Sequence, residues 1–134
     1  MVNFYLDTSI WLDVYEKRGR NGELAVEFLT KIINEESVVF FSNIIISELK
    51  HLWYSKETII DIIKILPYDG VRKIEISRNQ MGEAKRVAVS KGIPKKDVLH
   101  AVLCRDNDVQ LISRDAHFNS IKYITIAKLP EDFI

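Results

Sequence analysis

The chain has 134 residues, 47% of them hydrophobic and 28% charged, with 19 basic residues against 19 acidic ones and no formal net charge. That size fits one domain spanning 1–134, able to bury roughly two-thirds of its unfolded surface without a disulfide or structural zinc. The composition excludes a disordered or low-complexity chain. Neutrality removes the simplest case for nucleic-acid binding, a strongly basic domain. A polyanion would have to be held by a local patch or by a bound cation. The single cysteine, Cys104, permits no internal disulfide and reads as a buried thiol, and no Cys/His spacing suggests zinc. Residues 38–41 and 44–46 are apolar runs far too short to span a bilayer. With no secretory signal pattern at the N-terminus, a soluble cytoplasmic protein is expected.

Residues 2–6 read as a β-branched and aromatic strand ending at Asp7-Thr8-Ser9, a polar group suited to capping a helix. Ile10, Trp11, Val14 and Tyr15 continue at helical spacing, and Gly19, Asn21 and Gly22 are expected to break that helix. Leu24, Ala25, Phe28, Leu29, Ile32 and Ile33 mark a second amphipathic helix. Residues 38–41 read as a buried strand, after which Ser42 or Asn43 caps a third helix through Ile45, Leu49, Leu52 and Trp53. A helix over 57–66 stops at Pro67, because the residue before proline is pushed out of the helical region. Residues 73–76 read as a strand, and 81–90 as a helix ended by Gly92. Pro94 opens the last helix, which runs through 98–104. Strands are expected over 109–112 and 121–126. Strands alternating with helices predict an α/β fold: a three-layer sandwich whose mostly parallel central sheet is flanked by helices.

In an open parallel sheet, working residues lie just beyond the carboxyl ends of the strands. Asp7 follows the first strand, Glu48 sits about a turn and a half into the helix after 38–41, and Asp115 follows 109–112. Asp97 stands in the first turn of the helix opened by Pro94. Each alone has a structural explanation. Asp7 would cap a helix, Asp97 would be favoured by a helix dipole at about 0.3–1 kcal/mol, and Asp115 would sit in a turn. Glu48 resists such a reading, since Ile44, Ile45, Ile46, Leu49 and Leu52 surround it and an unpaired carboxylate among them is costly. In a domain with a radius of gyration of about 14 Å, four carboxylates at one sheet edge can converge. They would repel unless a cation joined them. An all-oxygen cluster suits Mg²⁺ or Mn²⁺, and metal-assisted phosphodiester hydrolysis is its natural chemistry.

The segments Phe4-Tyr5-Leu6-Asp7-Thr8-Ser9-Ile10-Trp11, Ser47-Glu48-Leu49, Pro94-Lys95-Lys96-Asp97-Val98-Leu99-His100-Ala101 and Leu111-Ile112-Ser113-Arg114-Asp115-Ala116-His117-Phe118 occur in the order found in PIN-domain proteins. Over essentially its full length the sequence resembles that family. It looks most like the small prokaryotic members, many of them VapC-type toxins. The resemblance implies a metal-dependent endoribonuclease using Mg²⁺ or Mn²⁺, with the family's four acidic positions falling on Asp7, Glu48, Asp97 and Asp115. It implies supporting roles for Thr8, Ser9 and Ser113, whose hydroxyls would orient a carboxylate or its water. At the place of His117 many members carry a further acid, and that departure favours one tightly held cation over two. The imidazole would fill a corner there, contact a phosphate or move a proton.

RNA would reach an acidic cluster over a basic rim, for which Lys95, Lys96 and Arg114 are candidates together with Lys17, Arg18 and Arg20. The resemblance also implies a homodimer and a small antitoxin partner. An exposed face carrying Trp11, Tyr15 or Trp53 would serve either contact. The alternatives are a housekeeping RNA-processing nuclease of the same fold, an inactive PIN-like scaffold, or a receiver-like module. A receiver would want an Asp where Ser77-Arg78-Asn79 follows the third strand.

Overall fold

The computed structural model describes residues 2–134. Four parallel strands form one sheet in the order β3-β2-β1-β4: β1 (Phe4–Leu6), β2 (Val39–Phe41), β3 (Val71–Lys73) and β4 (Gln110–Ile112). The helices are α1 (Thr8–Glu16), α2 (Gly19–Asn34), α3 (Asn43–His51), α4 (Lys56–Ile63), α5 (Arg78–Lys91) and α6 (Lys95–Asp106). The expected α/β sandwich with a parallel central sheet is therefore present. Parallel crossovers are right-handed. The β1-to-β2 and β2-to-β3 connections step one way along the sheet, and the connection to β4 steps back past β1. Their helices consequently cover opposite faces, and a crevice opens between β1 and β4 at the strand ends.

The central strand β1 is buried along its whole length, and Phe4 packs edge-on against Phe28 of α2 and Phe133. Helix α6 is enclosed on all sides, with every residue from Asp97 to Cys104 buried. Two acidic or imidazole side chains, Asp97 and His100, thus lie inside a core helix, where each needs a partner.

Four local expectations are corrected. Gly22 does not break a helix but lies inside α2, where a Cβ would come 2.4 Å from the Lys17 carbonyl carbon. The break falls at Lys17 instead, which takes a left-handed backbone with φ 53°. The third strand occupies Val71–Lys73 rather than 73–76, because Val71 and Lys73 align with Val39 and Phe41. Residues 121–126 are not a strand. A 3₁₀ segment (Ala116–Ile121) leads into a turn in which the Ile124 amide donates to the Ile121 carbonyl. The buried pair is Ile121 and Ile124, three apart, while Ile126 is exposed, so the apolar period suits a turn rather than a strand. Trp11 is enclosed in the core and is not available as a contact surface, whereas Trp53 is 94% exposed.

Candidate active site

Asp7, Glu48, Asp97 and Asp115 all line one cavity of about 630 Å³ at the carboxyl ends of the strands, together with Thr8, Ser9, Leu12, Arg18, Lys96, Arg114 and His117. Asp7 reaches it because β1 ends there and its side chain caps α1. The Thr8 amide donates to Asp7 Oδ1 at 2.7 Å. Its other oxygen, Oδ2, accepts from the Ser113 hydroxyl at 2.7 Å, at the end of the neighbouring strand β4. The same Ser113 oxygen accepts the Asp115 amide at 3.0 Å. One hydroxyl thereby bonds the Asp7 carboxylate and the backbone of Asp115.

Glu48 projects from α3 one turn before Leu52, on the same helix face. Its Oε1 is hydrogen-bonded to His100 Nε2 at 2.7 Å, and Lys96 Nζ lies 3.6 Å from Oε2. Burial pushes the Glu48 pKa up, but the hydrogen bond with His100 and the nearby ammonium of Lys96 outweigh it, leaving the carboxyl below its ordinary value. Asp97 behaves oppositely. Burial raises its pKa, the hydrogen bond from His117 opposes the rise, and repulsion by Asp115 and Asp7 adds to it, so the net shift is upward.

The imidazole of His117 stands between two acids, with Nδ1 2.7 Å from Asp97 Oδ2 and 3.3 Å from Asp115 Oδ1. It does not merely fill a corner. Those carboxylates raise its pKa by the Asp97 hydrogen bond first and the Asp115 charge second. Ligand atoms of Asp7, Glu48 and His100 come within 4.8 Å of one another, as do those of Asp97, Asp115 and His117.

These residues fit a hard divalent cation. The Thr8 hydroxyl is buried at the cavity and has no hydrogen-bond partner within 3.5 Å among the described residues, although it lies near enough to Glu48 to help lower that carboxyl's pKa. An orphaned hydroxyl beside repelling carboxylates is what a hydrated Mg²⁺ or Mn²⁺ would satisfy. Ser9 lines the cavity at an exposed position, and its carbonyl accepts from Arg18 at 3.2 Å.

The basic residues sort unevenly. Lys96 and Arg18 stand on the cavity wall, with Arg18 held by the buried Asp13 at 2.8 Å. Arg114 also lines the cavity, but its guanidinium is engaged in a two-bond pair with Glu131 at 2.8 and 2.9 Å. Lys95 is exposed and outside the lining residues. The sequence argument missed His100 and Tyr5. The only available signal for His100 was an imidazole three residues after Asp97 in an otherwise apolar helix.

No curated protein matches the chain. Solved structures do. One chain of the VapBC2 structure from Rickettsia felis, bound to a DNA fragment from its promoter, superposes with a TM-score of 0.70 at 20% identity. The match covers 96% of this chain and 98% of that one. A toxin-antitoxin complex from Klebsiella pneumoniae gives 0.61 at 16% identity, and FitAcB from Neisseria gonorrhoeae 0.61 at 17%, each with the same coverage. These likenesses show the fold. The sequence model of the PIN domain matches residues 4–123, from the first strand to just beyond the 3₁₀ segment that follows Asp115. The chain belongs to the PIN-domain family.

Proposed function

We propose that this chain is a metal-dependent endoribonuclease, a single PIN domain acting as the toxin of a toxin-antitoxin pair. The observation that carries the reading is the convergence of Asp7, Glu48, Asp97 and Asp115 on one cavity at the crevice between β1 and β4. Toxin-antitoxin assemblies among the structural neighbours support the regulatory half of the proposal, an antitoxin partner. The proposal also includes a homodimer, which rests on the family resemblance alone. Among the described residues no helix is long and apolar enough to cross a membrane. An RNA substrate points to the cytoplasm.

Asp7, Asp97, Asp115 and Glu48 would hold Mg²⁺ or Mn²⁺. A cation bound there supplies polarisation of a phosphoryl oxygen and activation of a water for in-line attack. The rest is the work of the chain. Ser113 and the Thr8 amide keep both oxygens of Asp7 in place. Lys96 and Arg18 bring the RNA backbone to a pocket whose own charge would repel it. His117 keeps a cationic or donor group between Asp97 and Asp115, within reach of a phosphate at the exposed side.

Incubation with RNA of mixed sequence, with and without Mg²⁺ or Mn²⁺, tests the reading against the Asp7→Asn variant. Cleavage that requires the metal and is lost in Asp7→Asn supports it. Equal cleavage by the variant, or none by the parent under any condition, overturns it.

A further inference from the structure

A line of buried side chains runs from Glu48 away from the cavity and into the core. His100 is completely enclosed, yet both ring nitrogens are engaged: Nε2 with Glu48 Oε1 and Nδ1 with the Tyr5 hydroxyl, each at 2.7 Å. The Tyr5 hydroxyl lies 2.8 Å from Ser42 Oγ. Ser42 Oγ in turn accepts the Ile44 amide at 3.3 Å as the cap of α3. Tyr5 and Ser42 are both fully buried as well. The chain joins β1, the β2–α3 junction, α3 and α6, and none of the first three residues after Glu48 faces the cavity.

Counting hydrogens gives the chain a direction. An ionised Glu48 only accepts, so His100 Nε2 carries the hydrogen. With that hydrogen the ring's only one, Nδ1 is an acceptor, and Tyr5 donates to it. The Tyr5 oxygen accepts from the Ser42 hydroxyl, whose oxygen accepts from the Ile44 amide. In this order each hydrogen in the chain has an acceptor. In the reverse order the Ser42 hydrogen would have none, and a buried unmade hydrogen bond is costly.

We propose that Ser42, Tyr5 and His100 are a positioning relay for Glu48. The relay locks His100 in the Nε2–H tautomer, holds Glu48 by Oε1 and leaves Oε2 as the oxygen free to serve a divalent cation. Lys96, 3.6 Å from that same Oε2, is the internal cation it would displace. The relay explains how an acid on α3 is held in place relative to the acids after β1 and on α6, where the other groups acting on it are the Lys96 ammonium, 3.6 Å from Oε2, and the Thr8 hydroxyl. The inference rests on the proposed metal site. Its physical basis is the general one that residues behind a ligand set the ligand's orientation and basicity.

Calorimetric titration of the metal-free full chain with Mn²⁺ tests it, using Tyr5→Phe, His100→Gln and His100→Ala, with melting measured without metal as a control. His100→Ala is expected to weaken Mn²⁺ binding roughly 10- to 100-fold. His100→Gln, whose amide N–H reaches toward the place of Nε2–H, should recover most of that loss. Tyr5→Phe removes one oxygen that lies outside the cavity and should still weaken Mn²⁺ several-fold; it carries the test if His100→Ala fails to fold. The same variants should lower kcat for RNA with KM little changed. Parent-like Mn²⁺ affinity in Tyr5→Phe, or a His100→Gln as impaired as His100→Ala, overturns the relay and leaves the proposed function standing. If the parent does not bind Mn²⁺, or Asp7→Asn binds it equally well, both readings fall.

Discussion

The Ser113 hydroxyl donates to Asp7 Oδ2 at 2.7 Å across 106 residues of sequence, joining the ends of the two strands between which the cavity opens. Both residues are buried, and the same hydroxyl oxygen takes the Asp115 amide. Removing it leaves a buried carboxylate oxygen without its donor.

Ser113→Ala is therefore expected to lower stability by about 1–3 kcal/mol. It should also weaken Mn²⁺ binding by roughly 10- to 100-fold. Ser113→Thr, which keeps the hydroxyl, should behave like the parent. Denaturant unfolding and calorimetric titration measure the two effects separately. A Ser113→Ala protein with unchanged Mn²⁺ affinity would show that Asp7 needs no such anchor.

His117 offers a second contrast, because its imidazole occupies the space between Asp97 and Asp115. His117→Asp replaces that partner with a third negative charge in contact with a carboxyl already raised by burial and by its neighbours. The metal-free variant should melt lower than the parent near neutral pH. Added Mg²⁺ should raise its melting temperature by more than it raises the parent's, since a cation would then relieve a greater repulsion. A smaller Mg²⁺ effect in the variant would indicate that His117 itself is a ligand.

Lys96 lies on the cavity wall 3.6 Å from Glu48, where a backbone phosphate would meet it. Lys96→Gln in an Asp7→Asn background, which is not expected to cut, should weaken RNA binding. It should also reduce the slope of log K against log salt by about 0.7. Filter binding over a series of salt concentrations reads the slope, and an unchanged slope removes Lys96 from the interface.

Far from the cavity, Arg105 bonds Glu83 through two nitrogens at 2.7 Å each and Asp106 at 2.9 Å. The hydrogen bonds from Arg105 come first among the causes that hold both carboxyls below their ordinary values. The sign follows from that depression. Stability from these pairs is fully present above the ordinary carboxylate range and is lost as pH falls through the lowered values. The three side chains are about one-third exposed, so solvent screening limits the whole contribution to about 1 kcal/mol or less. Arg105→Gln should therefore lose slightly less stability between pH 7 and pH 3 than the parent, with cleavage unaffected. Urea unfolding at the two pH values measures the difference, and an identical acid dependence would show the network contributes nothing.

Much of this arrangement was legible in the residue order. The strand-to-acid junction at Leu6-Asp7, the proline opening α6 ahead of Asp97 and the apolar neighbours of Glu48 each have local signatures in capping, proline chemistry and period. The fifth strand, expected over 121–126, failed because isoleucines interspersed with polar residues satisfy a turn with Ile121 and Ile124 inward as well as they satisfy a strand. Whether such a segment extends depends on a free neighbour in the sheet, and on the side of β4 away from β1 the described residues make one isolated bridge, Ile112 with Lys128. Gly22 reads as a breaker by composition, while its role is the closeness of the Lys17 backbone.

By itself the sequence determined most of the alternation of strands and helices and marked the four acids as candidates for one cavity, because periodicity, caps and acids after strands or among apolar helix residues are local properties of the chain. Only the tertiary structure decided the partners: Ser113 with Asp7, His117 with Asp97, Arg114 with Glu131, and His100 with Glu48 and Tyr5. Such pairs join residues up to 106 positions apart, and no local pattern encodes them. They arise because buried polar atoms must find partners wherever sheet order and helix crossing bring them together.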